Sequence, residues 1–98
     1  MSLTQQQQDM AREDFVRAFA ATGVTDEDAA LALGTTPAYV ARVARLDSRR
    51  IDDPWILRNY LLAEGKARGV TVTFRVLTAD YHTLWFLDGA YIDRGRLG

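Results

Sequence analysis

Arg42, Arg45 and Arg49 recur at spacings of three and four residues, downstream of Thr36 and Ala38, in a chain of 98 residues. On a helix such spacings put side chains on one face. Arginine is also the side chain that bonds guanine edges bidentately or holds phosphates. With Val40 as the inward direction and about 100° per residue, Ala38, Arg42 and Arg45 fall within roughly 40° of the outward direction. Arg49 joins them if the helix continues. A small residue near the helix start followed by arginines is what a helix entering a DNA groove would present. A solvated arginine face has the same pattern, because arginine is a good helix former anyway.

Other chemistry has little to work with. The one histidine, His82, has Asp80 as its nearest carboxylate in sequence, and both read as hydrogen-bonding residues of a turn and strand start rather than a general base with its orienting acid. There is no cysteine, which excludes disulfides, thiolate nucleophiles and thiolate metal sites. No glycine-rich phosphate loop and no His/Asp/Glu set at metal-ligand spacing occurs. The expectation is a non-enzyme with no cofactor, no metal and no small-molecule substrate.

The arginines need a helix, and the surrounding residues specify one of a pair. Asp26 to Arg45 reads as a helix-turn-helix. Ala30 is small where two helices cross, and Gly34 sits where the chain must turn left-handed. Val40 and Val43 face inward on the second helix. Thr25 and Asp28 form a capping box, with Val24 and Ala29 as a weak staple. Thr36-Pro37 is an N-cap followed by a proline whose missing N–H costs nothing at that position.

A first helix beginning near Thr4 carries Ala11, Phe15, Ala18 and Phe19 as one apolar stripe and ends at Gly23. Asp47 to Asp53 is a polar link, and Asp53-Pro54 repeats the cap-plus-proline signal for a fourth helix ending at Gly69. From Val70 the period changes: Val70, Val72 and Phe74 alternate with threonines, as in an extended segment. Asp88-Gly89 between two β-rich runs is the usual signature of a two-residue hairpin turn, predicting strands at 83–87 and 90–93. The predicted fold is mainly α with a C-terminal β-hairpin: a helix-turn-helix three-helix core plus a fourth helix, winged-helix-like. It forms a single domain over 1–98, with a helical part over 1–69 and the extended segment and hairpin over 70–98. Asp88 at the wing tip would repel phosphate, so the hairpin reads better as a core cover or dimer contact. Arg94 and Arg96 could supply positive charge only if the chain doubles back.

Hydrophobic residues make up 48% of the chain and net charge is −1, which is enough for one core but less basic than most nucleic-acid binders. The distribution is uneven. Residues 1–34 hold two arginines against six acidic residues, and residues 35–98 hold ten basic against seven acidic, so the sign changes at the arginine helix. No run is long enough to span a membrane and the polar start is not a signal peptide, so a cytoplasmic setting is expected. Trp85 and Phe86, adjacent on a strand, would point to opposite faces; a second copy of the chain would cover one of them, which predicts a homodimer.

The opening MSL, the segments LGTTPAYV and DPWILRNYLL, and the closing DYHTLWFLDGAYIDRGRL resemble a family of small bacterial proteins, domain of unknown function 2316. The resemblance implies a helix-turn-helix-like fold and a bacterial, cytoplasmic setting, and no catalytic residue comes with it. Two functions remain in view: a DNA-binding helix-turn-helix protein, such as a transcriptional regulator, with Thr36, Ala38, Arg42, Arg45 and Arg49 on DNA; or a non-enzymatic protein-interaction or dimerisation module built on the same scaffold.

Overall fold

The computed structural model describes residues 3–98; Met1 and Ser2, part of the MSL opening, lie outside the described residues. The helices are α1 (Gln5–Thr22), α2 (Asp26–Leu33), α3 (Pro37–Ala44), α4 (Asp53–Arg68) and α5 (Gly89–Asp93), with a 3-10 turn at Tyr81–Thr83.

The first three helices begin and end where their local chemistry says. Thr4 Oγ1 accepts from Gln7 N while Gln7 Oε1 accepts from Thr4 N, and Thr25 and Asp28 repeat that reciprocal box. Thr36 Oγ1 accepts from Tyr39 N at 3.2 Å. Gly34 adopts φ 71° between α2 and α3, a conformation only glycine takes without strain. Small Ala29 and Ala30 let α2 and α3 meet. Phe15 of α1, Val40 and Val43 of α3, and Leu57 and Leu61 of α4 are fully buried between these helices. Each large side chain contributes roughly 1.5–3 kcal/mol.

α3 stops at Ala44, as the polar link from Asp47 predicts, because Leu46 turns the chain at φ 64° and Arg12 Nε donates to the freed Arg45 carbonyl at 2.9 Å; the condition that would have put Arg49 on the helix is not met. α4 begins at Asp53 itself, with Asp52 in the cap position but making no side-chain cap hydrogen bond. Asp52 is used elsewhere: its Oδ2 accepts from Arg50 and its Oδ1 from Asp88 N at 2.8 Å.

The β-hairpin and the winged-helix architecture are overturned: the described residues contain no strand. Residues 70–74 form no strand and run without regular secondary structure, Val70 N closing the end of α4 on the Gly65 carbonyl at 2.9 Å, with Val72 and Phe74 turned inward. Phe74 meets Phe15 edge-on at 5.3 Å. Just beyond this segment the backbone donors go to a buried carboxylate. Asp14 Oδ2 accepts from Arg75 N at 2.8 Å and from Val76 N at 3.1 Å. Asp88-Gly89 is a helix start rather than a type I′ turn. Asp88 Oδ1 accepts from Tyr91 N, the same side-chain geometry that makes aspartate an N-cap, and Ile92 is buried one turn later. Trp85 and Phe86 lie in the turn between. Phe86 is half-buried and Trp85 is 87% exposed.

Candidate nucleic-acid interface

Thr36, Ala38, Arg42, Arg45 and Arg49 are all exposed. The first four belong to α3 or its two ends, with Val40 and Val43 on the opposite, buried side. Thr36 caps the helix, so its side-chain oxygen is already engaged with Tyr39 N. Arg42 makes one loose, exposed ion pair with Asp47, Nε to Oδ2 at 3.4 Å, of a kind worth at most about 1 kcal/mol. Arg45 and Arg49 have no carboxylate within 4.0 Å among the described residues.

Arg49 reaches the same neighbourhood by a different route from the predicted helical one. Its guanidinium lies over the Tyr39 ring, Cζ to centroid 4.1 Å, and its backbone N donates to Tyr39 Oη at 2.9 Å. The interaction of its guanidinium with the Tyr39 hydroxyl, ahead of the charge of Tyr39 and then of Asp53, holds its pKa above the ordinary arginine value despite some desolvation. Arg42 sits over the same ring at 5.6 Å. Tyr39 lies roughly 60° around the helix from Arg42, so it forms a shelf along the edge of the outward stripe.

That shelf is fixed from below. Tyr39 Oη donates to Asp53 Oδ2, and Tyr91 Oη of α5 donates to Asp53 Oδ1 at 3.0 Å. Asp53 is 2% exposed. Its charge sits in the first turn of α4, where the helix dipole favours an anion. Tyr91 carries arginines of its own, Arg50 at 3.7 Å and Arg94 at 4.6 Å from its centroid. Burial, then the Asp53 hydrogen bond, pushes the Tyr91 pKa up, so the phenol stays a donor. Past α5 the chain does double back: Leu97 N donates to Leu33 O at 2.8 Å. The Arg96 guanidinium lies so close over Gly34 that a Cβ there would fall 2.2 Å from its Nη2.

Tyr39, Asp53, Tyr91, Arg50, Arg94 and Arg96 thus join the five expected residues. Asp53 reads in sequence as a cap and Tyr91 as a strand residue; no spacing signals that one carboxylate receives both phenols. The acidity of the first part of the chain is largely consumed locally. Asp9 pairs with Arg12, and Glu13 and Asp14 with Arg75. Asp26, Glu27 and Asp28 occupy the first turn of α2, where they complement its dipole.

His82 is the centre of a separate polar cluster. Nδ1 is 2.9 Å from Asp80 and Nε2 is 2.8 Å from Asp93, and Tyr81 Oη donates to Asp93. The Asp93 and Asp80 hydrogen bonds raise the His82 pKa. All three charged side chains are more than half exposed, and the arrangement ties the 3-10 turn to α5. Among the described residues no three His, Asp or Glu side chains are grouped to hold a metal, and no helix is long and apolar enough to cross a membrane.

No curated protein and no solved structure matches the chain. A family model matches residues 1–88, leaving α5 and the residues after it beyond the match. With most of its length covered, the chain belongs to the bacterial family described as an uncharacterized protein conserved in bacteria, DUF2316.

Proposed function

We propose that this chain is a DNA-binding helix-turn-helix protein acting as a transcriptional regulator. α3 enters the major groove with Ala38, Arg42 and Arg45 toward base edges, Thr36 at its start, and Arg49 on a flanking phosphate. The observation that carries this reading is the convergence of Arg42 and Arg49 on the Tyr39 shelf beside the unpaired Arg45. Guanidiniums held together with so few carboxylates suit a polyanion. The role is non-catalytic: the buried carboxylates Asp14 and Asp53 are committed to structural hydrogen bonds, and the setting is the cytoplasm.

Binding to mixed genomic duplex fragments at low and moderate salt tests it. Affinity should fall by about 0.9 log units per log unit of salt for each phosphate neutralised, and Arg42→Ala/Arg45→Ala should weaken binding and flatten that slope. A double variant that binds like the parent chain excludes this face. A homodimer belongs to the same proposal, because paired helix-turn-helix units read two half-sites and the bare Trp85 ring gives a second copy something to cover. A dimer that persists in sedimentation after Trp85→Ser excludes that ring as its contact.

A protein-interaction module is the second reading, favoured by Leu31 and Trp85, 88% and 87% exposed. Absence of DNA binding at low salt would select it.

A further inference from the structure

We propose that the C-terminal segment supplies a second, sequence-independent contact to the nucleic-acid phosphate backbone, built from Arg94 and Arg96 beside Arg50 of the link before α4. The inference rests on the DNA reading of α3 and adds the surface that flanks it.

Three observations converge. First, Arg50 and Arg94 both lie over the Tyr91 ring, at 3.7 and 4.6 Å. Two cations drawn to one ring repel each other, and only Arg50 has compensating carboxylates, Asp52 at 2.9 Å and Asp88 at 3.9 Å. Arg94 and Arg96 have none within 4.0 Å among the described residues. Second, this pair is joined to the α3 surface. Tyr91, Asp53 and Tyr39 form one hydrogen-bonded chain, so the arginines over Tyr91 and those over Tyr39 keep a defined separation. Third, Arg96 lies across Gly34 in the turn that leads into α3, and the Leu97–Leu33 backbone bond anchors it there. Basic side chains therefore stand beside the shelf and also at the turn before α3.

The chemistry recognised is a run of phosphates. These guanidiniums are exposed and spread over a surface rather than gathered on one point. Contacts of this kind position a protein on a duplex and carry no base information.

The test uses the full chain and sheared genomic duplex DNA, comparing the parent with Arg94→Gln/Arg96→Gln, Arg42→Ala/Arg45→Ala and the distant control Lys66→Gln. The expected result is a several-fold loss of affinity in Arg94→Gln/Arg96→Gln, equal across unrelated sequences. Its log-log salt slope should be shallower by about 1.8, two phosphates at about 0.9 each, while Lys66→Gln is unchanged. If the melting temperature drops, Arg94→Lys/Arg96→Lys must restore binding; failure to do so overturns the proposal. Parent-like affinity and slope in Arg94→Gln/Arg96→Gln, with binding lost in Arg42→Ala/Arg45→Ala, overturns this inference and leaves the α3 reading standing. A loss confined to some sequences overturns the phosphate assignment. A parent chain that does not bind at low salt overturns both.

Discussion

Tyr39 of α3 and Tyr91 of α5 donate their hydroxyls to the two oxygens of one buried carboxylate, Asp53. Asp53→Ala leaves both phenols without their acceptor. A buried unpaired polar group costs about 1–3 kcal/mol, so this variant should lose about 3 kcal/mol in urea denaturation. Tyr91→Phe removes a single donor and should lose about 1 kcal/mol. Equal stability of Asp53→Ala and the parent would show that the carboxylate organises nothing.

Asp14 should make the fold acid-sensitive. Burial pushes its pKa up, but the Arg75 side chain and the backbone N–H groups of Arg75 and Val76 outweigh that, leaving it below the ordinary aspartate value. A depressed carboxylate contributes stability that is fully present above its unfolded pKa and is lost as pH falls through the folded one. Asp14→Asn should therefore be less stable than the parent at neutral pH, by about 2 kcal/mol, and the gap should close on acidification. A gap of constant size from neutral to strongly acid pH would refute the assignment.

His82 acts in the opposite direction. Its pKa is raised by Asp93 first and Asp80 second, while both carboxylates are lowered, Asp93 chiefly by Tyr81 and then His82, Asp80 by the His82 backbone and ring. The imidazolium's contribution is complete below the unfolded histidine pKa and disappears as pH rises through the folded value. The carboxylates' contribution disappears only in acid, so the tie between the 3-10 turn and α5 is strongest at mildly acidic pH. In an NMR titration the His82 ring should show a midpoint above that of free histidine, and Asp93→Asn should bring it down. A midpoint unmoved by that substitution would separate His82 from Asp93.

Gly65 and Gly34 should respond to alanine for different reasons. In mid-helix, alanine gains about 1 kcal/mol over glycine. At Gly65, however, the new Cβ would fall 2.6 Å from Val72 Cγ2 and 3.2 Å from the Val70 carbonyl. Overpacking against that close segment costs about 1–3 kcal/mol, so Gly65→Ala should be net destabilising in a thermal melt. Gly34→Ala meets first the end of the Arg96 side chain, which can swing aside, and its cost is the left-handed φ of 71°, about 1 kcal/mol. It should also displace Arg96, and weaker DNA binding beyond the stability change would register that.

The first 44 residues were legible because their signals are local. Thr4, Thr25 and Thr36 each bond a backbone N–H three residues on, and Gly34 turns on its own conformational freedom, so the order of caps and apolar positions is sufficient for α1 to α3. The exposed Arg42 and Arg45 follow from the same periodicity. Arg49 also ends among them, but the periodicity did not place it: Leu46 breaks the helix and the Tyr39 ring recovers the side chain. The C-terminal third was misread for a physical reason. Alternating Val70, Val72 and Phe74, and the Asp88-Gly89 pair, are equally compatible with a sheet or with extended chain and a helix cap; what decides is where the backbone donors find acceptors. Here Asp14 captures Arg75 N across 61 residues and Asp52 captures Asp88 N across 36, while Tyr91 reaches Asp53 across 38. Sequence alone determined the helix pair and its outward arginines; only the tertiary structure, through buried carboxylates that take up distant donors, decided that α5 rather than a hairpin lies beside them.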